Sequence, residues 1–397
     1  MDGDAIARTA IESVDLDLAV ELCRAVSRIP SVLGEEGPLA DFIACTLRDL
    51  GFEQVELQPV LPDRPNAIGE LSFGRGRRVV LTGHLDTKPV SHGWTVAEPY
   101  SGDLVNDRVY GHGIMDMKGA LACQIAALAG LRKAGLPLAG TAAFAAVSDH
   151  MGDQQGSIAY FEARPADLCV LGELSESTIC LGHRGRYYFD IHIYGRSAHT
   201  CHKHDAVNAN YLAALAVIEL DASRLEPHLE PWVAEMFGSE TFMSPGRIYG
   251  GLPPGGPSMI PDECVIRVDC RPQPGVSKAT VRAEIDRALA AAAEKDPRFR
   301  AEVVLADEKP GHLVDRDSEV VTLMMEAVRA ARPGQEPSLR VEGWLGDTSS
   351  FGPLVETVIF GPGGEPVYAA DENLSVEDIH DAARVYAAFA ALALGGC

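Results

Sequence analysis

The feature that most constrains this chain is a change of rhythm near His183 that reverses after Pro310. Before it, apolar residues recur at helical spacing in LDLAVELCRAVSRI and GPLADFIACTLRDLG, the second run ending at Gly51. Between such runs, RRVVLTGHLD, AGTAAFAAVSDH and ADLCVLGEL read as short buried strands, and MKGALACQIAALAGLRKAGL reads as a helix closed by Gly135. Strands that alternate with helices predict a mainly parallel mixed sheet covered by helices. After His183 the order becomes strand RYYFDIHIYG, helix HDAVNANYLAALAVIEL, strands GRIYGG and DECVIRVDCRP, helix VSKATVRAEIDRALAAAAEK and strand FRAEVVLAD. That β-α-β-β-α-β series is the split layout of a ferredoxin-like α+β domain. Helix, strand and helix then resume in SEVVTLMMEAVRAAR, ETVIFG and SVEDIHDAARVYAAFAALAL. The expected organisation is an α/β domain of residues 1–185 plus 309–397, interrupted by a domain at 186–308.

Composition narrows the function classes. With 34 Lys and Arg against 57 Asp and Glu, the chain of 397 residues carries a formal charge of −23. Such a surface repels a phosphate backbone, so nucleic acid and anionic membrane are poor partners. The nine cysteines, odd in number and without a C-x-x-C pair, suit reduced thiols. The N-terminus shows no basic segment followed by an apolar run, and no window of about 18 uninterrupted apolar residues occurs. The expectation is a soluble, cytoplasmic protein.

Three strand ends and one helix start carry polar residues suited to chemistry. In GHLDT, His84 and Asp86 close an apolar strand, where ligands collect in open parallel sheets. Two residues apart on extended chain, they share a face, and Asp86 can accept the second ring N–H of a metal-bound imidazole. A turn histidine beside a capping aspartate is the alternative. Asp116 in YGHGIMDMKGA precedes a helix, where it either caps the helix or offers a hard carboxylate to a metal. Nearby Lys118 and His112 are expected to be solvated and structural respectively. VSDHMGDQQGS and CVLGELSES add Asp149, His150 and Glu173 at two further strand ends. As a group these residues are harder to explain by chance than any one of them.

Together the motifs resemble the dinuclear-zinc family of aminoacylases, acetylornithine and succinyl-diaminopimelate deacylases and carboxypeptidase G type peptidases. GHLDT is similar to the family's G-H-x-D, GHGIMDMKG to G-R-G-x-x-D-M-K-G, and GELSES to G-E-P-T. The resemblance implies His84 and Glu173 as ligands of one metal, Asp116 as the carboxylate bridging two, and Asp86 as the partner orienting His84. GRSAHTCHKHDAVNAN is similar to G-x-x-A-H-S, which implies that His199 reaches across a homodimer, formed by the inserted domain, to hold substrate. In IYGGLPPGGPSMIPDECVIRVDCRP, Arg271 matches an arginine that binds the substrate carboxylate, and Ser258 stands where the family has Asn. His202 and His204 are expected to face solvent. Asp347 in WLGDTSSF matches a structural acid with no catalytic role.

The departures fall on one side of the implied centre. Where the family reads D-E-E-x-G, gapless alignment on Gly152 and Gly156 places Asp149 at the general base and His150 at a ligand of the second metal. In FGPGGEPVYAADENL, Tyr368 occupies the place of that metal's histidine. Both outer ligands of the second site are therefore replaced. A single ion, zinc or manganese, would leave an open position for water and polarise a substrate oxygen, with one ion per chain expected; the alternative is that His150 and Tyr368 retain a second ion. Asp149 could take the proton, and the neutral phenol of Tyr368 could donate to a developing oxyanion. The glycines of FGPGG, Gly361 and Gly363, could let backbone N–H groups approach an anion.

The function so implied is metal-dependent hydrolysis of a C–N bond in a small carboxylate-bearing molecule, an N-acyl amino acid or dipeptide-like amide. The altered second site leaves open a hydrolytic deaminase of an aromatic amine acid on the same scaffold. A non-catalytic, ligand-binding relative is the third reading.

Overall fold

A computed structural model describes residues 2–251, 258–364 and 366–395. Cys397 therefore lies outside the described residues. The chain divides into two compact units, residues 1–182 with 314–340 and 346–397, and residues 183–313 with 341–345.

The first unit is built on a mixed sheet. Its strands run in the order Glu56–Leu61, Arg64–Ser72, Thr141–Val147, Arg78–His84, Leu168–Leu171, Glu356–Ile359 and Ile179–His183. The central neighbours from Thr141–Val147 to Glu356–Ile359 are parallel, while the pairs outside them are antiparallel. The parallel centre is the alternation read from the sequence; the antiparallel hairpin Glu56–Leu61 with Arg64–Ser72 has no comparable apolar signal.

Helices cover this sheet because their apolar residues leave them few other places. Asp15 caps Leu16–Ser27 by accepting from Leu18 N–H at 3.0 Å. In Gly119–Lys133 every residue from Gly119 to Leu131 is buried. The segment Ile114–Lys133 is long and apolar enough to cross a membrane, but 94% of its apolar window is buried inside the protein. Its apolarity builds the core.

The second unit pairs its strands antiparallel in the order Phe242–Gly250, Glu263–Arg271, Arg186–Tyr194, Ala301–Lys309. Alternation along Arg186–Tyr194 turns Tyr187, Phe189, Ile191 and Ile193 into one core with Leu212, Ala216, Ile285 and Ala288 of helices Ala209–Ala222 and Lys278–Lys295. Each large side chain so buried contributes about 1.5–3 kcal/mol. Two helices on one face of a four-stranded sheet make the ferredoxin-like arrangement.

Candidate metal centre

Register brings the motifs to one edge. His84 lies opposite Val147 on one parallel neighbour, and Thr82 lies opposite Leu171 on the other. Strand Arg78–His84 therefore ends where the turn Ser148–Gln154 and the Gly172–Glu173 segment begin. His84, His150 and Glu173 emerge from the carboxyl ends of three adjacent strands, the expected place for a site.

The three side chains offer donor atoms all within 4.8 Å of one another. The rings of His84 and His150 stack at 4.1 Å with 10° between planes. Their Nε2 atoms lie 3.6 and 3.8 Å from Glu173 Oε1. That oxygen is buried and has no hydrogen-bond partner. An unpaired buried carboxylate oxygen costs several kcal/mol unless a cation meets it. Two imidazole nitrogens and a carboxylate fit a divalent ion such as zinc.

Electrostatics agree with a seat for positive charge. Burial, aided by Asp116, pushes the Glu173 carboxyl up to about 8. Burial opposes charge on His84, yet Glu173 and Asp116 outweigh it and raise the ring to about 10. Asp116 sits 3.0 Å from His84 Nε2 through Oδ1 and accepts the Tyr368 hydroxyl on Oδ2. Although burial works against its charge, His84 holds the Asp116 carboxyl well below the usual range. Burial and Asp116 together push the Tyr368 phenol far up, so it remains a donor. That donor is directed at Asp116, where the sequence suggested an oxyanion.

The supporting residues differ in several places from the sequence expectation. His84 Nδ1 meets the backbone oxygen of Asp86 at 2.8 Å, not its carboxylate. The Asp86 carboxylate instead accepts the N–H groups of His150 and Met151 at 3.0 and 2.7 Å. Asp347, expected to be only structural, lies 2.7 Å from His150 Nδ1 and also accepts Ser157 Oγ–H at 2.7 Å. It therefore sets the ring orientation of His150. His150 joins His84 and Glu173 in one group, whereas the sequence pattern assigned it to a separate second metal.

Asp149, expected as general base, directs its hydrogen bonds elsewhere. Oδ1 pairs with Arg64 at 2.8 Å, and Oδ2 accepts the N–H groups of Asp153 and Gln155 at 3.1 and 3.4 Å. Arg64 also grips buried Glu36, at 2.6 and 2.8 Å. The result is a pinned turn, with Asp149 at φ 72°, whose next residue is His150.

Gly361 and Gly363 serve the Glu173 loop. Gly361 N–H donates to Ser175 Oγ at 3.1 Å, so that group is not available to an anion. A Cβ at Gly361 would stand 2.3 Å from Gly172 O and 2.5 Å from Glu173 O. Gly363 O accepts Glu176 N–H at 2.7 Å. Glu372 accepts the N–H groups of Gly113 and Met115 at 3.1 and 2.8 Å, holding the turn that carries Asp116. Lys118 is fully buried and donates to Ile29 O at 2.7 Å, contrary to the expected solvated role. Burial lowers its amine to about 7.

In the second unit, His199 is exposed and pairs with Met259 across a two-stranded sheet. Ser258, also exposed, accepts Thr200 N–H at 2.8 Å on its carbonyl. The structure thus brings these two expected substrate residues together within that unit. Arg271 is held by Asp269 at 2.8 and 2.9 Å, so the expected carboxylate receptor already has a carboxylate. His202 and His204 are exposed, as read from the sequence.

Comparison with known proteins identifies the family. Over 93% of its length the chain is 28% identical to a succinyl-diaminopimelate desuccinylase of Gluconobacter oxydans, covering 96% of that protein. The desuccinylase of Methylocella silvestris is 29% identical over 93% of this chain and 96% of its own. An aminopeptidase structure from Bacillus cereus shares the fold with TM-score 0.77 at 20% identity, covering 96% of this chain and 99% of that one. A metallo-carboxypeptidase from Sulfolobus solfataricus matches at TM-score 0.77 and 18% identity over 95% and 99% of the two chains. Residues 80–392 match the model of peptidase family M20/M25/M40. The chain belongs to that family, and it is a divalent-metal-dependent hydrolase acting on C–N bonds.

Proposed function

We propose that this protein hydrolyses the amide of an N-acyl amino acid or dipeptide-like substrate bearing a carboxylate, using one zinc or manganese ion per chain. His84, His150 and Glu173 would hold the ion, with Asp116 beside them. The observation that carries this reading is the buried, unpartnered Glu173 Oε1 facing two imidazole nitrogens. When bound, such an ion supplies Lewis acidity to a substrate oxygen and makes water a nucleophile at neutral pH. Asp347 and Asp86 orient His150, while Tyr368 fixes Asp116. In this reading Asp149 exchanges its Arg64 contact to take a proton from water and returns it to the leaving nitrogen. Water adds to the carbonyl, the C–N bond breaks, and a carboxylate and an amine leave.

Hydrolytic deamination is the second reading. It is supported by the grouping of His150 with His84 and by Tyr368 bonding Asp116 where the family pattern has histidine. There water replaces an aromatic amino group, giving a phenol and ammonia. Metal-loaded protein assayed on N-acyl amino acids, dipeptides and aminobenzoates separates the readings. Amine release from amides is expected, ammonia release from aminobenzoates favours deamination, and no turnover by metal-loaded protein favours a ligand-binding relative.

The assembly we infer is a homodimer through the inserted unit. Its edge strand Phe242–Gly250 exposes Phe242, Ile248 and Tyr249 by 54–55%, and helix Ala209–Ala222 exposes Tyr211 by 75% and Ile218 by 57%. An open edge beside exposed apolar side chains supports pairing with a second copy. His199, exposed in the same unit, would then reach the partner's substrate. Light scattering should give twice the chain mass, falling to one chain mass for Tyr211→Glu with Ile218→Asp. The free thiols of the eight described cysteines support a cytoplasmic setting.

A further inference from the structure

Lys88 follows the strand that delivers His84, and its backbone is pinned on both sides. Its carbonyl accepts His112 Nε2–H at 2.7 Å, and the preceding Thr87 N–H donates to Ser31 O at 2.8 Å. From this fixed base the exposed side chain places Nζ 4.8 Å from the centroid of the Tyr368 ring. Tyr368 in turn bonds Asp116, which lies 3.0 Å from His84 Nε2. A cation thus stands two contacts away from the Asp116 carboxylate.

Other cations near this centre already have partners. Arg64 is bound by Glu36 and Asp149, Lys118 is buried against Ile29 O, and Arg340 pairs with Glu176 at 3.4 Å. Among the described residues no carboxylate pairs with the Lys88 ammonium. Arg271, the receptor suggested by the sequence, is held by Asp269.

Resting on the function proposed above, we propose that Lys88 is a specificity-determining residue that binds the anionic group of the substrate, with the Tyr368 ring as its backing surface. An ammonium over an aromatic face keeps its outer N–H groups free for a carboxylate. The substrate class is accordingly a small carboxylate whose charge lies near the Tyr368 side of the metal centre.

The test is calorimetric binding of benzoate and its neutral counterpart benzamide to the metal-loaded protein, for wild type, Lys88→Met and Lys88→Arg. Wild type should prefer benzoate. Lys88→Met should weaken benzoate by about tenfold, with benzamide affinity and metal content unchanged, and Lys88→Arg should restore most of the loss. Equal binding of the two probes by wild type, or unchanged benzoate affinity in Lys88→Met, overturns the proposal. Because binding is read without turnover, failure of the hydrolase reading remains a separate result.

Discussion

His150 Nδ1 lies 2.7 Å from the buried carboxylate of Asp347, and the same ring stacks on His84 at 4.1 Å. Asp347 thereby turns Nε2 of His150 toward Glu173, so that in the proposed centre one nitrogen faces the ion and the other is anchored. The two residues are 197 positions apart, so tertiary packing creates the relationship.

Removing this anchor should weaken metal binding before it harms the fold. Asp347→Asn keeps the volume but loses the charge. Chelator competition should show about 10–100-fold lower metal affinity. Wild-type affinity in that variant would show that stacking alone orients His150.

Asp149 separates chemistry from positioning. Asp149→Asn should lower turnover by about a hundredfold or more while metal content stays near wild type, if it takes the proton. Loss of metal in parallel with activity would instead make it a positioning residue for the His150 turn. Turnover and elemental analysis on the same preparation decide between them.

Arg64 joins two acids from the interior. Its side chain is 15% exposed, against 0% for Glu36 and 8% for Asp149. Arg64→Met leaves those charges without their partner, and should destabilise the protein by about 3–5 kcal/mol. Urea unfolding would show this as a lower midpoint, and a midpoint within error of wild type would remove the triad from the stability argument.

Gly361 is packed against the chain that carries Glu173. Gly361→Ala puts a methyl into the 2.3 Å approach of Gly172 O, so the loop must shift. A stability loss of about 1–3 kcal/mol and weaker metal binding are expected together. Loss of stability with unchanged metal affinity would disconnect Gly361 from Glu173.

Much of this centre is legible as sequence because apolar strands end abruptly in polar residues. His84, His150 and Glu173 each follow such a strand, and the change of rhythm at His183 separates the inserted unit. What supports them is less legible. Arg64 reaches Asp149 across 85 positions, Asp347 reaches His150 across 197, and Tyr368 reaches Asp116 across 252. No local spacing records those pairings. Asp86 shows a different limit: period-two geometry placed it near His84, but hydrogen-bond competition gave its carboxylate to the His150 and Met151 N–H groups.

The most direct measurement is the metal content of protein loaded with zinc or manganese and dialysed against a chelator. One equivalent per chain is expected for wild type, falling toward zero in His150→Ala as it does in His84→Ala. Two retained equivalents per chain, or one that survives His150→Ala, would contradict a single ion held jointly by His84, His150 and Glu173.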